Sequence, residues 1–170
     1  APPTSSVAPG ADYVAVATPV RPESDFLNTA PGVGYVGTET CQSCHADVHA
    51  GFLQTRHSRS MSDARQQQSE TASVRHPSSG YAYRTRTEEN GQLVHTECLL
   101  LDGREESARD ILVEWVVGSG RFGRSYLAER DGFLVQSPLT WYSDRREWDM
   151  SPGYDFPGQF SFRRSVSAGC

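Results

Sequence analysis

Cys41-Gln42-Ser43-Cys44-His45 is the densest group of reactive side chains in the sequence. Two cysteines three positions apart can present both sulfurs to the two vinyl groups of one haem, and the adjoining histidine then lies under the iron as proximal ligand. The pattern predicts haem c held by Cys41 and Cys44, with His45 on the iron. Two other chemistries use similar residues. A structural zinc needs a second Cys or His pair, and none occurs downstream at finger spacing. A thioredoxin-type dithiol wants a βαβ setting, which the flanks do not offer.

The sixth position on the iron has several candidates: His49, His57, His76, His95, Met61 and Met150. His49 lies one helical turn beyond His45 on the same face and cannot reach the opposite side of the same haem. His57 comes twelve residues after His45, about 18 Å along an unbroken helix at 1.5 Å per residue. If the helix continues, His57 serves a different iron. If the chain turns back near Thr55-Arg56, His57 can close over its own haem. His76-Pro77 sits in a loop and can approach from any direction, which makes it the second candidate. Met61 would give a His/Met site of raised potential, and His95 falls on a strand.

These residues need elements to position them. After His45 the apolar positions Val48, Phe52 and Leu53 suit an amphipathic helix of about three turns, with the haem motif at its N-terminal end. Residues 58–79 are polar and read as a loop with a short helix. From Tyr81 the period changes to two. Tyr81, Tyr83, Thr85 and Thr87 share a face, Asn90-Gly91 marks a hairpin, and residues 92–101 return as its partner. Ile111, Val113, Trp115 and Val117 alternate in a further strand, and Asp131-Gly132 joins another hairpin. Residues 141–170 read as ordered loop packed by aromatics. The expected fold is therefore α+β: a short haem-bearing helical segment packed on an antiparallel β meander, with an extended proline-rich N-terminal arm. The arm is residues 1–34, which hold six of the ten prolines and little apolar mass to collapse on. The haem domain is residues 35–170.

Composition narrows the partners. The chain has a net charge of −5 and no lysine, and its arginines cluster only in short pairs, so a nucleic-acid partner is not expected. No stretch approaches the roughly 18 apolar residues of a membrane span. The opening Ala1-Pro2-Pro3 reads as a processed N-terminus, as expected of an exported protein.

The stretch Tyr35-Val36-Gly37-Thr38-Glu39-Thr40 leading into the haem motif, followed by Thr55-Arg56-His57-Ser58-Arg59-Ser60-Met61, resembles bacterial multihaem cytochromes c. In that family a haem motif is trailed by a Thr/Ser-x-His-x-x-x-Met segment. Gly118-Ser119-Gly120-Arg121, Pro138-Leu139-Thr140-Trp141-Tyr142 and Trp148-Asp149-Met150-Ser151-Pro152-Gly153-Tyr154 are similar to the same cytochromes. The resemblance covers residues 35–170. It implies an exported electron carrier, periplasmic or extracellular, without substrate chemistry of its own. It also implies His57 as a haem ligand, and partners that are other cytochromes or redox subunits, or further copies in a polymer. Some relatives are joined to tetratricopeptide repeats. The relatives continue through an arginine-containing segment to a second Cys-x-x-Cys-His, whereas this sequence reaches Cys170. A second haem would be completed by sequence beyond Cys170 or shared with a neighbouring subunit. The alternative function is a haem enzyme with an open distal site that reduces a small molecule.

Three further features have plainer readings. Cys98 and Cys170 can pair as a disulfide in an oxidising compartment. Gly118-Ser119-Gly120-Arg121-Phe122-Gly123 matches G-x-G-x-x-G, but the stretch from Arg124 to Glu129 is too short for the helix a dinucleotide site needs. It reads as a turn between strands, with Arg121 and Arg124 able to meet haem propionates. Asp144, Glu147 and Asp149 read as surface charge.

Overall fold

The computed structural model describes residues 34, 36–67 and 71–166. The proposed arm falls almost wholly outside the described residues. The chain divides into two units, residues 1–40 and 41–170, and the fold below is that of the second.

Among the described residues nine strands form two antiparallel sheets. The first sheet has the order β1-β6-β7-β8-β9, built from Met61–Asp63, Trp115–Val117, Gly123–Arg130, Phe133–Tyr142 and Glu147–Met150. The second runs β2-β3-β4-β5, from Ala72–Arg75, Tyr81–Thr87, Leu93–Leu101 and Arg104–Val113. Tight turns drive this arrangement. Gly91 (φ +82) closes β3 onto β4, while Asp102-Gly103 and Asp131-Gly132 place two successive residues at positive φ, the geometry that matches strand twist.

One face of the second sheet meets the first. Tyr83, Leu93 and Val113 from one side join Val116, Tyr126, Ala128, Leu139, Trp148 and Met150 from the other in a single core, closed by Tyr154 and Phe162. The opposite face of β4 is also covered. Val94 and Cys98 are buried there, beneath a lattice in which Arg86 pairs with Glu88 and Asp110 and Arg84 pairs with Glu105. Arg86 and then Thr96 hold the Asp110 carboxyl down at about 2. The aliphatic stems of the two arginines shield the apolar residues below them.

The sheets share a seam. β5 ends at Val113 and β6 begins at Trp115, so one nearly continuous stretch of chain passes from one sheet to the other at Glu114. There the Glu114 carbonyl accepts from Ala64 N at 2.8 Å, and its N–H donates to the Leu127 carbonyl at 3.0 Å. The C-terminal part continues the first sheet, with Gln136 N donating to Arg164 O and Val166 N to Leu134 O.

The α+β expectation is overturned, because the described chain is a mostly antiparallel β protein. The segment expected to be a helix of three turns packed on the sheet holds two short helices, α1 (Glu39–Gln42) and α2 (Ala46–Gln54). Its apolar stripe is not seated, since Val48 and Leu53 are 71% and 48% exposed. Residues 61–63 and 72–75, expected in a loop, are β1 and β2. Residues 147–150, expected in a loop, are β9. The strand expected from Ile111 to Val117 is two strands in different sheets. None of the described helices is long and apolar enough to cross a membrane.

Candidate haem-attachment site

Cys41 lies in α1, Cys44 in the turn after it, and His45 caps the N-terminus of α2. His45 N donates to the Cys41 carbonyl at 2.9 Å and His49 N to the His45 carbonyl at 2.8 Å. The motif is thus wound as one helical turn, which puts positions i and i+3 on the same side. Cys41 and Cys44 are free thiols and exposed, and His45 is exposed beside them. Two exposed free cysteines three positions apart and an exposed imidazole are of the types that haem c requires. Among the described residues no three His, Cys, Asp or Glu side chains are grouped to hold a metal ion.

His49, one turn beyond His45, is the buried residue of α2. Its Nε2 has no hydrogen-bond partner among the described residues.

α2 ends at Gln54. Thr55 takes an extended conformation (φ −77, ψ 160), and its N–H and hydroxyl both return to the Phe52 carbonyl. Ser58 reinforces the break, its hydroxyl bonding the carbonyls of Thr55 and Leu53. His57 then opens a short 3-10 turn (His57–Arg59). It is exposed, with its ring edge-on to Phe52 at a centroid distance of 6.3 Å. The continuous helix from 45 to 57, under which His57 would have to serve a different iron, does not form.

His76 has a different environment. It is 1% exposed, with Nδ1 2.8 Å from Ser79 Oγ and Nε2 2.7 Å from the Tyr154 carbonyl oxygen. Both ring nitrogens serve the protein, and binding iron would require breaking one of these bonds. His95 sits in the core between the rings of Tyr126 and Trp148, with Nδ1 2.8 Å from Ser137 Oγ. Burial pushes its pKa down to about 3. Met150 is buried in the core and Met61 is half exposed on β1. Cys98 is a buried free thiol, and Cys170 lies outside the described residues.

Sequence reasoning overlooked a groove of about 770 Å³ beside the segment after α2. Arg56, Arg59, Arg121 and Arg124 line it together with Met61 and Trp115. The available signal was the arginine on either side of His57-Ser58.

Comparison with protein-family models, with curated proteins and with solved structures returned no match.

Proposed function

We propose that this chain is an exported c-type cytochrome that carries electrons through covalently bound haem. The observation that carries this reading is the exposed helical turn that presents Cys41, Cys44 and His45 together, with both thiols free. When bound, the haem supplies a one-electron ferric–ferrous couple. The chain does the rest. Cys41 and Cys44 would tether the group by thioether bonds, and His45 would offer its iron a nitrogen. His57 would offer a second one, because the break at Thr55 frees it from the helix that bears His45 and neither of its ring nitrogens is bonded among the described residues. His76 is the weaker distal candidate, given its two existing hydrogen bonds. Two histidine nitrogens holding the iron would suit a carrier, since an iron that keeps its coordination reorganises little between oxidation states. Other cytochromes, redox subunits or further copies of the chain are the proposed partners, in a periplasmic or extracellular setting.

The test is an intact mass and an alkaline pyridine spectrum of protein made in a host that exports it and attaches haem. A mass raised by one haem that survives acid–acetone extraction supports the reading. A mass equal to the bare polypeptide sinks it.

A further inference from the structure

Four arginines stand around the 770 Å³ groove, and among the described residues no acid pairs with them. Arg56 and Arg59 come from the segment after α2, Arg121 from the β6–β7 turn and Arg124 from the start of β7. None of the four forms an ion pair among the described residues. The carboxylate in the lining, Asp63, is committed to Arg65 through contacts of 2.6 to 3.2 Å. Gathered like charges repel, and a chain with 21 acidic residues had counter-ions to place there.

The β6–β7 turn is folded around one of these arginines. A Cβ on Gly120 would lie 2.6 to 2.9 Å from the guanidinium of Arg124, and one on Gly118 would meet the Gly123 carbonyl at 2.7 Å. Both glycines sit at positive φ, Gly118 at +113 and Gly120 at +80, where side chains are costly. Gly120 therefore leaves room for Arg124 to lie across the turn, and Gly118 lets the turn close on Gly123. The lining between the arginines is apolar. Register pairs Met61 with Val117 and Asp63 with Trp115, so these four side chains share one outward face. Met61 and Trp115 are 49% and 38% exposed on it.

An apolar patch rimmed by unpaired guanidinium groups complements a flat apolar ligand that bears two carboxylates, each gripped by an arginine fork. We infer that the groove receives the propionate edge of a haem, with Arg121 and Arg124 on the carboxylates and Met61 and Trp115 against the macrocycle. This rests on the haem reading of Cys41, Cys44 and His45. Propionates leave the porphyrin from the edge remote from the vinyl groups, which leaves the tether unobstructed. The haem is supplied either by the same chain or by a neighbouring copy, and the recognition chemistry is the same.

The experiment is a redox titration of the haem-loaded protein as a function of pH, for wild type, Arg121→Gln/Arg124→Gln, Gly120→Ala and the control Arg104→Gln. Arg104 is on β5 and does not line the groove. Removing the two arginines is expected to move the propionate-linked step in the potential upward by about 1 pH unit or more and to lower the potential at pH 7. Gly120→Ala should move it the same way, and Arg104→Gln should move nothing. If the wild-type profile changes on dilution while the variant's does not, the haem comes from a neighbouring copy and the inference stands. A profile that coincides between wild type and double variant, with haem counted as present, overturns the groove and leaves the cytochrome reading intact. So does a wild-type profile that excess succinate or inorganic phosphate, at matched ionic strength, shifts as far as the mutations do, for the groove then holds free anions. A preparation without covalent haem overturns both.

Discussion

The Nε2 of His76 donates a 2.7 Å hydrogen bond to the carbonyl oxygen of Tyr154, tying the end of β2 to the segment beyond β9. A carbonyl only accepts, so Nε2 carries a proton. The Ser79 hydroxyl, which already accepts from Tyr81 N at 3.2 Å, is left to donate to Nδ1. His76→Ala would strand a buried carbonyl and open a cavity, costing about 2–4 kcal/mol. Chemical denaturation should register that loss while the haem spectrum stays unchanged. A change of spin state at unchanged stability would instead make His76 an iron ligand.

His57→Ala is expected to do the opposite. The residue is exposed and its one described ring contact is with Phe52, so stability should move by no more than about 0.5 kcal/mol. The iron should lose its low-spin spectrum and begin to bind carbon monoxide or cyanide. If the variant remains low-spin and indifferent to both, His57 is not the distal ligand. Should the wild type itself bind these ligands readily, an enzyme with an open distal site becomes the better description.

Acid should weaken the fold through His95. Its pKa is about 3 in the core against an ordinary 6.5, so between those values the unfolded chain binds the extra proton. Stability from this group is fully present above pH 6.5 and falls as pH falls, by roughly 1 kcal/mol per unit at the steepest. Below about 3.8 the Asp110–Arg86 pairing adds a smaller loss, moderated by solvent exposure. Denaturation of wild type and His95→Asn between pH 7 and 4 checks this. The variant should give the flatter curve, and parallel curves would rule out His95 as the cause.

Gly132 tests the turn chemistry alone. Its φ is +80 and a Cβ there would meet nothing within 4 Å, so Gly132→Ala adds backbone strain without a clash. The expected cost is about 1–2 kcal/mol, read from the denaturation midpoint. A neutral result would mean that the turn relaxes into another type.

The reactive residues and the turns were easier to read than the layers. Cys41 to His45 announces itself by spacing, and Asn90-Gly91 and Asp131-Gly132 announce hairpins. Asp102-Gly103 carried the same signal and was passed over because Arg104 to Asp110 has charges on successive residues, which hides the period of two. Those charges are explained only by their partners, since Glu105 and Asp110 on β5 meet Arg84 and Arg86 on β3 across the intervening β4. β1 and β6 are three residues each, too short to show any period. The apolar positions 48, 52 and 53 imitate a buried helical face, yet the burial on α2 falls on His49. Arg121 and Arg124 were legible as partners for haem propionates, but their grouping with residues 56 and 59 was not, because it depends on the Met61–Val117 register of two very short strands.

The seam at Glu114 bears on how the molecule comes apart. With β5 passing directly into β6, neither sheet can melt while the other persists, because fraying one pulls on the backbone pairing of its continuation. The groove wall at Trp115 therefore belongs to the same cooperative unit as the deepest core, and it should open only at close to the free energy of global unfolding. A surface that stiff would keep the spacing between its arginines and whatever lies against them nearly constant, so on the haem reading proposed above the distance an electron would cross there would vary little over time.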